Sequence, residues 1–330
     1  MQTLEQQTDL FQKLKPIKIK RKKIQQKKIR QKQTMQDKNM QDKVLSLLYE
    51  HAAGRMLLRP LVMPWFSEAG GRLLSTRISA LAVKPFVKRN KISLEGCEKR
   101  IFDSFNDFFT RKLQDGMREI DLSEDAFISP CDGRLSLYPV TEGGRFTIKH
   151  TSYSVESLLK NKDLARRFDG GLVWVYRLCV DDYHRYIYPV WAKKSKNVKI
   201  PGVYHTVNPI ANEQYPIYKE NTREYCLLQT EQFGTMLMME VGALLVGKIE
   251  NHEKNPAFAE RGEEKGNFAF GGSTIVVITQ KDHAVPLPKF RCGAGDFSQN
   301  IQGESDNGLN LENRKEIPVR LGERVGTLKK

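Results

Sequence analysis

Beyond Asp125 the chain carries three β-branched, apolar runs: Gly171–Val180 (GLVWVYRLCV), Thr235–Ile249 (TMLMMEVGALLVGKI) and Ser273–Thr279 (STIVVIT), each bounded by Gly or Asp. Runs of this kind read as strands, and glycine pairs at 143–144, 170–171 and 271–272 punctuate them as turns. No internal repeat of solenoid length is visible. The expected fold is α+β: a mainly antiparallel β catalytic domain behind amphipathic N-terminal helices and a basic, disordered arm. Met236, Met238 and Met239 alternate with apolar neighbours and are expected in the sheet core.

Upstream the pattern is helical. Between Arg72 and Lys88, Leu73, Leu74, Ile78, Leu81, Ala82 and Val83 recur at helical spacing, among Arg72, Arg77, Lys84 and Lys88. Pro60, Pro64 and Pro85 are expected to break residues 44–90 into short helices. Two readings stay open for them: a core-facing stripe, or a segment lying in a lipid interface, which Trp65, Phe66 and the cations favour. The first 43 residues hold thirteen Lys/Arg against four acids, so +9 of the formal +15 sits in this arm. Eleven cations and no acid fall between Phe11 and Gln33. Such a low-complexity arm is either solvated or meets an anionic surface. Its scarcity of aromatics argues against nucleic acid as the partner. The expected division is 1–43 arm, 44–90 membrane-docking helices, 91–330 catalytic domain.

No stretch approaches the roughly 18 to 20 apolar residues that span a bilayer. The N-terminus has no secretory signal core, and its Lys/Gln bias differs from a mitochondrial presequence. The five cysteines, Cys97, Cys131, Cys179, Cys226 and Cys292, form no C-x-x-C pair. A disulfide framework and a metal site are therefore not expected.

Three segments could carry chemistry. Ser129-Pro130-Cys131-Asp132-Gly133 sets a carboxylate in a tight turn. Asp181-Asp182-Tyr183-His184-Arg185-Tyr186 places a dense polar cluster at a strand end, where desolvation demands partners. Phe268-Ala269-Phe270-Gly271-Gly272-Ser273-Thr274 puts a serine after two glycines at the mouth of a strand. A turn, a structural cluster and a hairpin entry explain them equally well one by one. Together, Asp132, His184 and Ser273 suggest an activated nucleophile. No G-x-S-x-G elbow surrounds Ser273, and the bare backbone before it leaves room for attack on the Gly272 carbonyl.

At this point the sequence resembles the pyruvoyl-dependent phosphatidylserine decarboxylase family. The matching pieces run in order: Phe108-Phe109-Thr110-Arg111-Lys112-Leu113, the S-P-x-D-G turn, Asp182-Tyr183-His184-Arg185, and Pro201 through Pro209. Val241-Gly242-Ala243 with Val246, Gly247 and Ile249, then Lys265-Gly266 through Thr274, and Gly322 through Gly326 complete them. The likeness covers about residues 95 to 328, on an ordered set of motifs.

The resemblance implies a proenzyme that cuts itself between Gly272 and Ser273. It would leave a β chain, 1–272, and an α chain, 273–330, whose first residue becomes the pyruvoyl cofactor. That group would decarboxylate phosphatidylserine to phosphatidylethanolamine through a Schiff base, at an anionic membrane surface and without spanning it. A bacterial cell membrane or a mitochondrial inner membrane would serve. By correspondence, Asp132 is the carboxylate of the self-cleavage relay, Ser273 the nucleophile and His184 the acid–base group. Many members carry a second histidine three residues on, where this chain has Ile187. The base is then His184, with His205 the other candidate. Arg223 is a candidate for the lipid phosphate or for a structural ion pair. The competing functions are a serine hydrolase using Asp132, His184 and Ser273 uncut, and a non-enzymatic membrane-tethering protein.

Overall fold

The computed structural model describes residues 43, 45–49, 51–148, 151–207, 211, 215–243, 248–269, 273–291 and 316–329. The arm before residue 43, Gly272 and Cys292 lie outside them. By internal contacts the chain divides into Met1–Met56 and Leu57–Lys330. In the first unit residues 45–49 are helical.

Strands β1 (Ala126–Ile128), β2 (Gly133–Pro139), β3 (Arg145–Ile148), β4 (Thr151–Ser154), β5 (Leu172–Leu178), β6 (Arg185–Ile187), β7 (Ala192–Lys194) and β8 (Val198–Ile200) come first. They are followed by β9 (Arg223–Gln229), β10 (Thr235–Val241), β11 (Ile249–Asn251), β12 (Ala257–Ala259), β13 (Glu264–Phe268), β14 (Ser273–Thr279), β15 (Ala284–Pro286), β16 (Ile317–Val319) and β17 (Arg324–Leu328). A nine-stranded sheet has the order β12-β7-β9-β10-β14-β5-β2-β16, with β8 also on β9. Smaller sheets β11-β13-β6, β1-β17-β15 and β3-β4 complete the set. Every strand pairing among the described residues is antiparallel, as the sequence implied, beside one isolated parallel bridge, Val203–Asn221.

One face of the large sheet presents Trp174, Tyr176, Leu178, Ile275, Val277, Met236 and Met238 to a core shared with Tyr186 and Phe268 of the β6-β13 sheet and Phe127 and Val325 of the β1-β17 sheet. The opposite face, with Val173, Val276, Ile278 and Met239, is buried too. Strands covered on both sides need continuous apolar runs, which is why these segments do not alternate. The run from Thr235 to Ile249 is not one strand, however. It stops at Val241, before Gly242, and Ile249 opens a strand of another sheet.

The helical region also departs from its periodicity. Helices α1 (Ala52–Leu61), α2 (Pro64–Leu74) and α3 (Val83–Asn90) flank a 3-10 segment, Arg77–Ala82. Three residues per turn in that segment shift the phase of the apolar positions. Leu74 and Val83 therefore turn inward onto Phe102, Phe105, Phe108 and Phe109, while Leu73, Ile78 and Leu81 stay exposed. Pro64 starts α2 and Pro85 sits in the first turn of α3, where proline needs no amide partner. Pro60 lies inside the last turn of α1 and does not break it.

Candidate active site

The sheet order brings the three candidate segments to one end of the large sheet. β5 lies between β2 and β14, antiparallel to both, so the starts of β2 and β14 flank the end of β5. Asp132 immediately precedes β2, Ser273 opens β14 opposite Leu178, and the Asp181–Tyr186 cluster follows β5. A side chain at Gly133 would come within 2.8 Å of the Arg177 carbonyl, so the turn lies tight against β5.

The His184 strand is held from both sides. On one, the Ile187 amide donates to the Pro130 carbonyl at 2.9 Å; on the other, Phe268 donates to the His184 carbonyl at 3.0 Å. Arg185 donates to Thr110 O at 2.9 Å and pairs with Glu264 at 2.5 Å. Phe268 ends β13, and only residues 269–272 separate it from Ser273. β13 of the small sheet and β14 of the large one are thus consecutive strands in the chain.

The His184 imidazole is fully buried, 4.0 Å from the Phe109 ring by centroids. Its Nδ1 lies 3.0 Å from the Asp182 carbonyl oxygen. A carbonyl only accepts, so Nδ1 carries the proton and Nε2 keeps a lone pair. That Nε2 is buried with no hydrogen-bond partner among the described residues. Burial, seconded by the Arg111 guanidinium, pushes the imidazole down to about 3, which keeps it neutral. Burial pushes the neighbouring Asp182 carboxyl up to about 6, against the Cys179 amide that donates to it at 2.7 Å.

Asp132 does not meet His184. Its carboxylate takes two bonds from Arg118, at 2.6 and 3.2 Å, and one from the Leu321 amide at 2.8 Å. Ile187, where many relatives have histidine, packs with Ala126, Ile128, Tyr183 and Leu321, an apolar cluster beside that amide. Ser273 is fully buried. Paired strands put Ser273, Ile275, Tyr176 and Glu240 on one sheet face, and the buried Tyr176 hydroxyl has no partner among the described residues.

His205 lies at the same sheet end. Its backbone exchanges bonds with Asn221, whose side chain also donates to Gly242 O at 2.8 Å, just past the end of β10. Its ring stacks on Tyr215 at 4.6 Å, and burial pushes it down to about 4. Arg223 corrects the expectation for it. The side chain is fully buried and gives its guanidinium to the carbonyls of Ser157, Leu158, Lys219 and Asn221, so it neither reaches a lipid phosphate nor forms an ion pair.

Sequence reasoning missed Arg118, Tyr176 and Glu240. No spacing rule links Arg118 to Asp132. The other two did leave a signal, being polar residues within otherwise apolar strand runs. Among the described residues no cluster of His, Cys, Asp or Glu could hold a metal ion.

Comparison with known proteins places the chain in a family. The family profile described as phosphatidylserine decarboxylase matches residues 105–297. Phosphatidylserine decarboxylase proenzyme 2 of Clostridium acetobutylicum is 38% identical over 283 residues, covering 86% of this chain and 91% of the relative. The phosphatidylserine decarboxylase proenzyme of Fusobacterium nucleatum is 35% identical over 290 residues, with the same coverage of both chains. That of Ruminiclostridium cellulolyticum is 38% identical over 244 residues, 72% of this chain and 81% of its own. With more than half its length matched and relatives this close along most of it, the chain belongs to the phosphatidylserine decarboxylase family, a family of carboxy-lyases.

Proposed function

We propose that this chain is a self-processing phosphatidylserine decarboxylase acting at an anionic membrane surface. The observation that carries the reading is that a buried serine and a buried neutral imidazole, whose Nε2 has no hydrogen-bond partner among the described residues, lie at the same end of one sheet. In the proposed step Nε2 of His184 takes the Ser273 hydroxyl proton, and the oxygen attacks the Gly272 carbonyl. The C–N bond then breaks as the amide nitrogen is protonated, leaving an ester. Loss of the ester carboxylate by elimination, then hydrolysis with release of ammonia, separates residues 1–272 from 273–330 and leaves a pyruvoyl group at 273. The two chains stay together as a heterodimer.

The surroundings of Ser273 fit such a group. The Tyr176 hydroxyl, a buried donor without partner on the same sheet face, would hold one of its carbonyl oxygens. The group supplies a ketone that takes up a substrate amine and accepts the electrons released with CO2. The Asp182 carbonyl fixes the His184 tautomer, and the Phe109 ring covers the imidazole. Asp132 acts at one remove, anchoring the turn through Arg118 and Leu321.

Among the described residues no helix is long and apolar enough to cross a membrane. Docking falls instead to Met63, Trp65, Leu73, Ile78 and Leu81, all exposed, among the cations Arg72, Arg77, Lys84 and Lys88. Beneath them Phe86 and Phe105 pack against Phe108, one residue from the Phe109 that covers His184.

Intact-mass measurement of the purified protein tests the reading. Chains of 272 and 58 residues are expected, the shorter blocked to Edman sequencing. Ser273→Ala should give one chain and release no CO2 from phosphatidylserine vesicles. An active protein that stays in one piece would refute self-processing and favour a hydrolase-like use of the same residues.

A further inference from the structure

We infer that the buried Lys265–Glu240 pair positions the strand leading into Ser273, and that self-cleavage, not stability, is what the pair serves. The inference rests on the self-processing reading above. Among the described residues this is the one ion pair whose two side chains are both fully excluded from solvent. Lys265 Nζ donates to Glu240 Oε2 and to Asn251 Oδ1, each at 2.8 Å. Asn251 in turn donates to Glu240 at 3.2 Å and to Glu224 at 2.8 Å, and accepts from the Tyr186 hydroxyl at 3.2 Å. Asn197 donates to Glu224 at 2.7 Å.

Stability gives a poor reason for such a pair. Removing two charges from water costs several kcal/mol per ion, and apolar residues of similar volume often serve as well or better. Yet the backbone is distorted to admit it. In β13 the register slips between Glu264, opposite Ile187, and Gly266, opposite Tyr186. Lys265 is the extra residue of that bulge, and its side chain is turned into the space between the two sheets. Bulges of this kind re-aim a side chain and occur next to active sites.

What the pair joins is specific. Lys265 lies eight residues before Ser273, on β13, the strand that precedes it in the chain. Glu240 lies on β10, the neighbour of β14, directly opposite Ile275 and therefore diagonal to Ser273 on the same face. At the other end of β13, Phe268 is bonded to the His184 carbonyl. The strand is thereby registered against the nucleophile's neighbour at one end and the base at the other. Attack of a hydroxyl on the preceding carbonyl needs both atoms in a near-attack geometry, and a displacement of about 1 Å can cost about 100-fold in rate.

Lys265→Met alone would strand a buried carboxylate and lower stability, so the double variant Glu240→Leu/Lys265→Met carries the test. It is made twice: in the otherwise native chain, to time the appearance of the 58-residue product, and with Ser273→Ala, to measure the thermal midpoint of the uncut protein. The expected result is a midpoint equal to or above that of Ser273→Ala alone, with cleavage slowed about 10- to 100-fold. Cleavage at the native rate overturns the inference. Slow cleavage with a lowered midpoint also overturns it and leaves the pair a folding role only. A native chain that never yields two products refutes self-processing itself, a separate outcome.

Discussion

The His184 imidazole is buried against Phe109, donates from Nδ1 to the Asp182 carbonyl and feels the Arg111 guanidinium, and its response to acid follows from that burial. Unfolded, it binds a proton near 6.5; folded, only near 3. Between those values the unfolded chain holds the extra proton, so this contribution is complete above pH 6.5 and is lost as the pH falls toward 3. His205, held at about 4, adds a loss of the same sign. Asp182 opposes them. Its carboxyl is raised from 3.8 to about 6, so its contribution is full below 3.8 and gone above 6. Asp182→Asn in the uncut Ser273→Ala protein should therefore steepen the loss of stability between pH 6 and 3.8, read from urea midpoints. A second expectation concerns Asp132. If it works through Arg118, then Asp132→Ala, Arg118→Ala and the double variant should slow cleavage to a similar degree, the double no worse than either single. Additive losses, measured on gels over time, would separate the two residues. Asp132, His184 and Ser273 stood out in the sequence because each sits in a motif. Arg118 did not, because its carboxylate partner is chosen by the fold.

At the level of elements, Ser273–Thr279 was legible to the residue, since a run buried on both faces admits few alternatives. The Thr235–Ile249 run misled because a strand covered on both sides and its continuation into another sheet have the same composition; Gly242 was the warning. The helices misled for the opposite reason. A 3-10 turn keeps the composition of a helix but shifts the residues that share a face, so one apparent stripe became an inner and an outer set. Gly266 shows what a single atom would do to the small sheet. A Cβ there would lie 2.2 Å from the Glu250 carbonyl oxygen across the β11–β13 pairing. Gly266→Ala should cost about 1–3 kcal/mol or more, because backbone must move. Chemical denaturation of the uncut protein measures it. An unchanged midpoint would mean that β13 shifts freely, which would also weaken the clamp argued for Lys265.

For the molecule as a whole, attachment to the bilayer should divide into two parts with different salt dependence. Trp65, Leu73, Ile78 and Leu81 each offer about 1.5–3 kcal/mol at most if fully inserted, independent of salt. The cations of residues 1–40 add up to about 1 kcal/mol each near an anionic leaflet, within a Debye length of about 8–10 Å. Leu81→Glu should weaken co-sedimentation with phosphatidylserine vesicles at every salt concentration. Deletion of residues 1–40 should weaken it chiefly at low salt and leave cleavage intact. Equal binding by the truncated and full-length proteins throughout would remove the arm from the interface. The place of β14 in the sheet has a last consequence. It is an interior strand, paired with β10 along one edge and β5 along the other, so under the proposed cut the short chain could not leave the long one without unzipping the sheet. Uncut, the chain unfolds and refolds as one molecule; once cut, its refolding would be an encounter between two. The midpoint of the mature protein should rise with its own concentration while that of Ser273→Ala stays fixed, as differential scanning at several dilutions would reveal. A protein cut in this way would be assembled once, as a precursor, and dilution would turn every later unfolding into a loss.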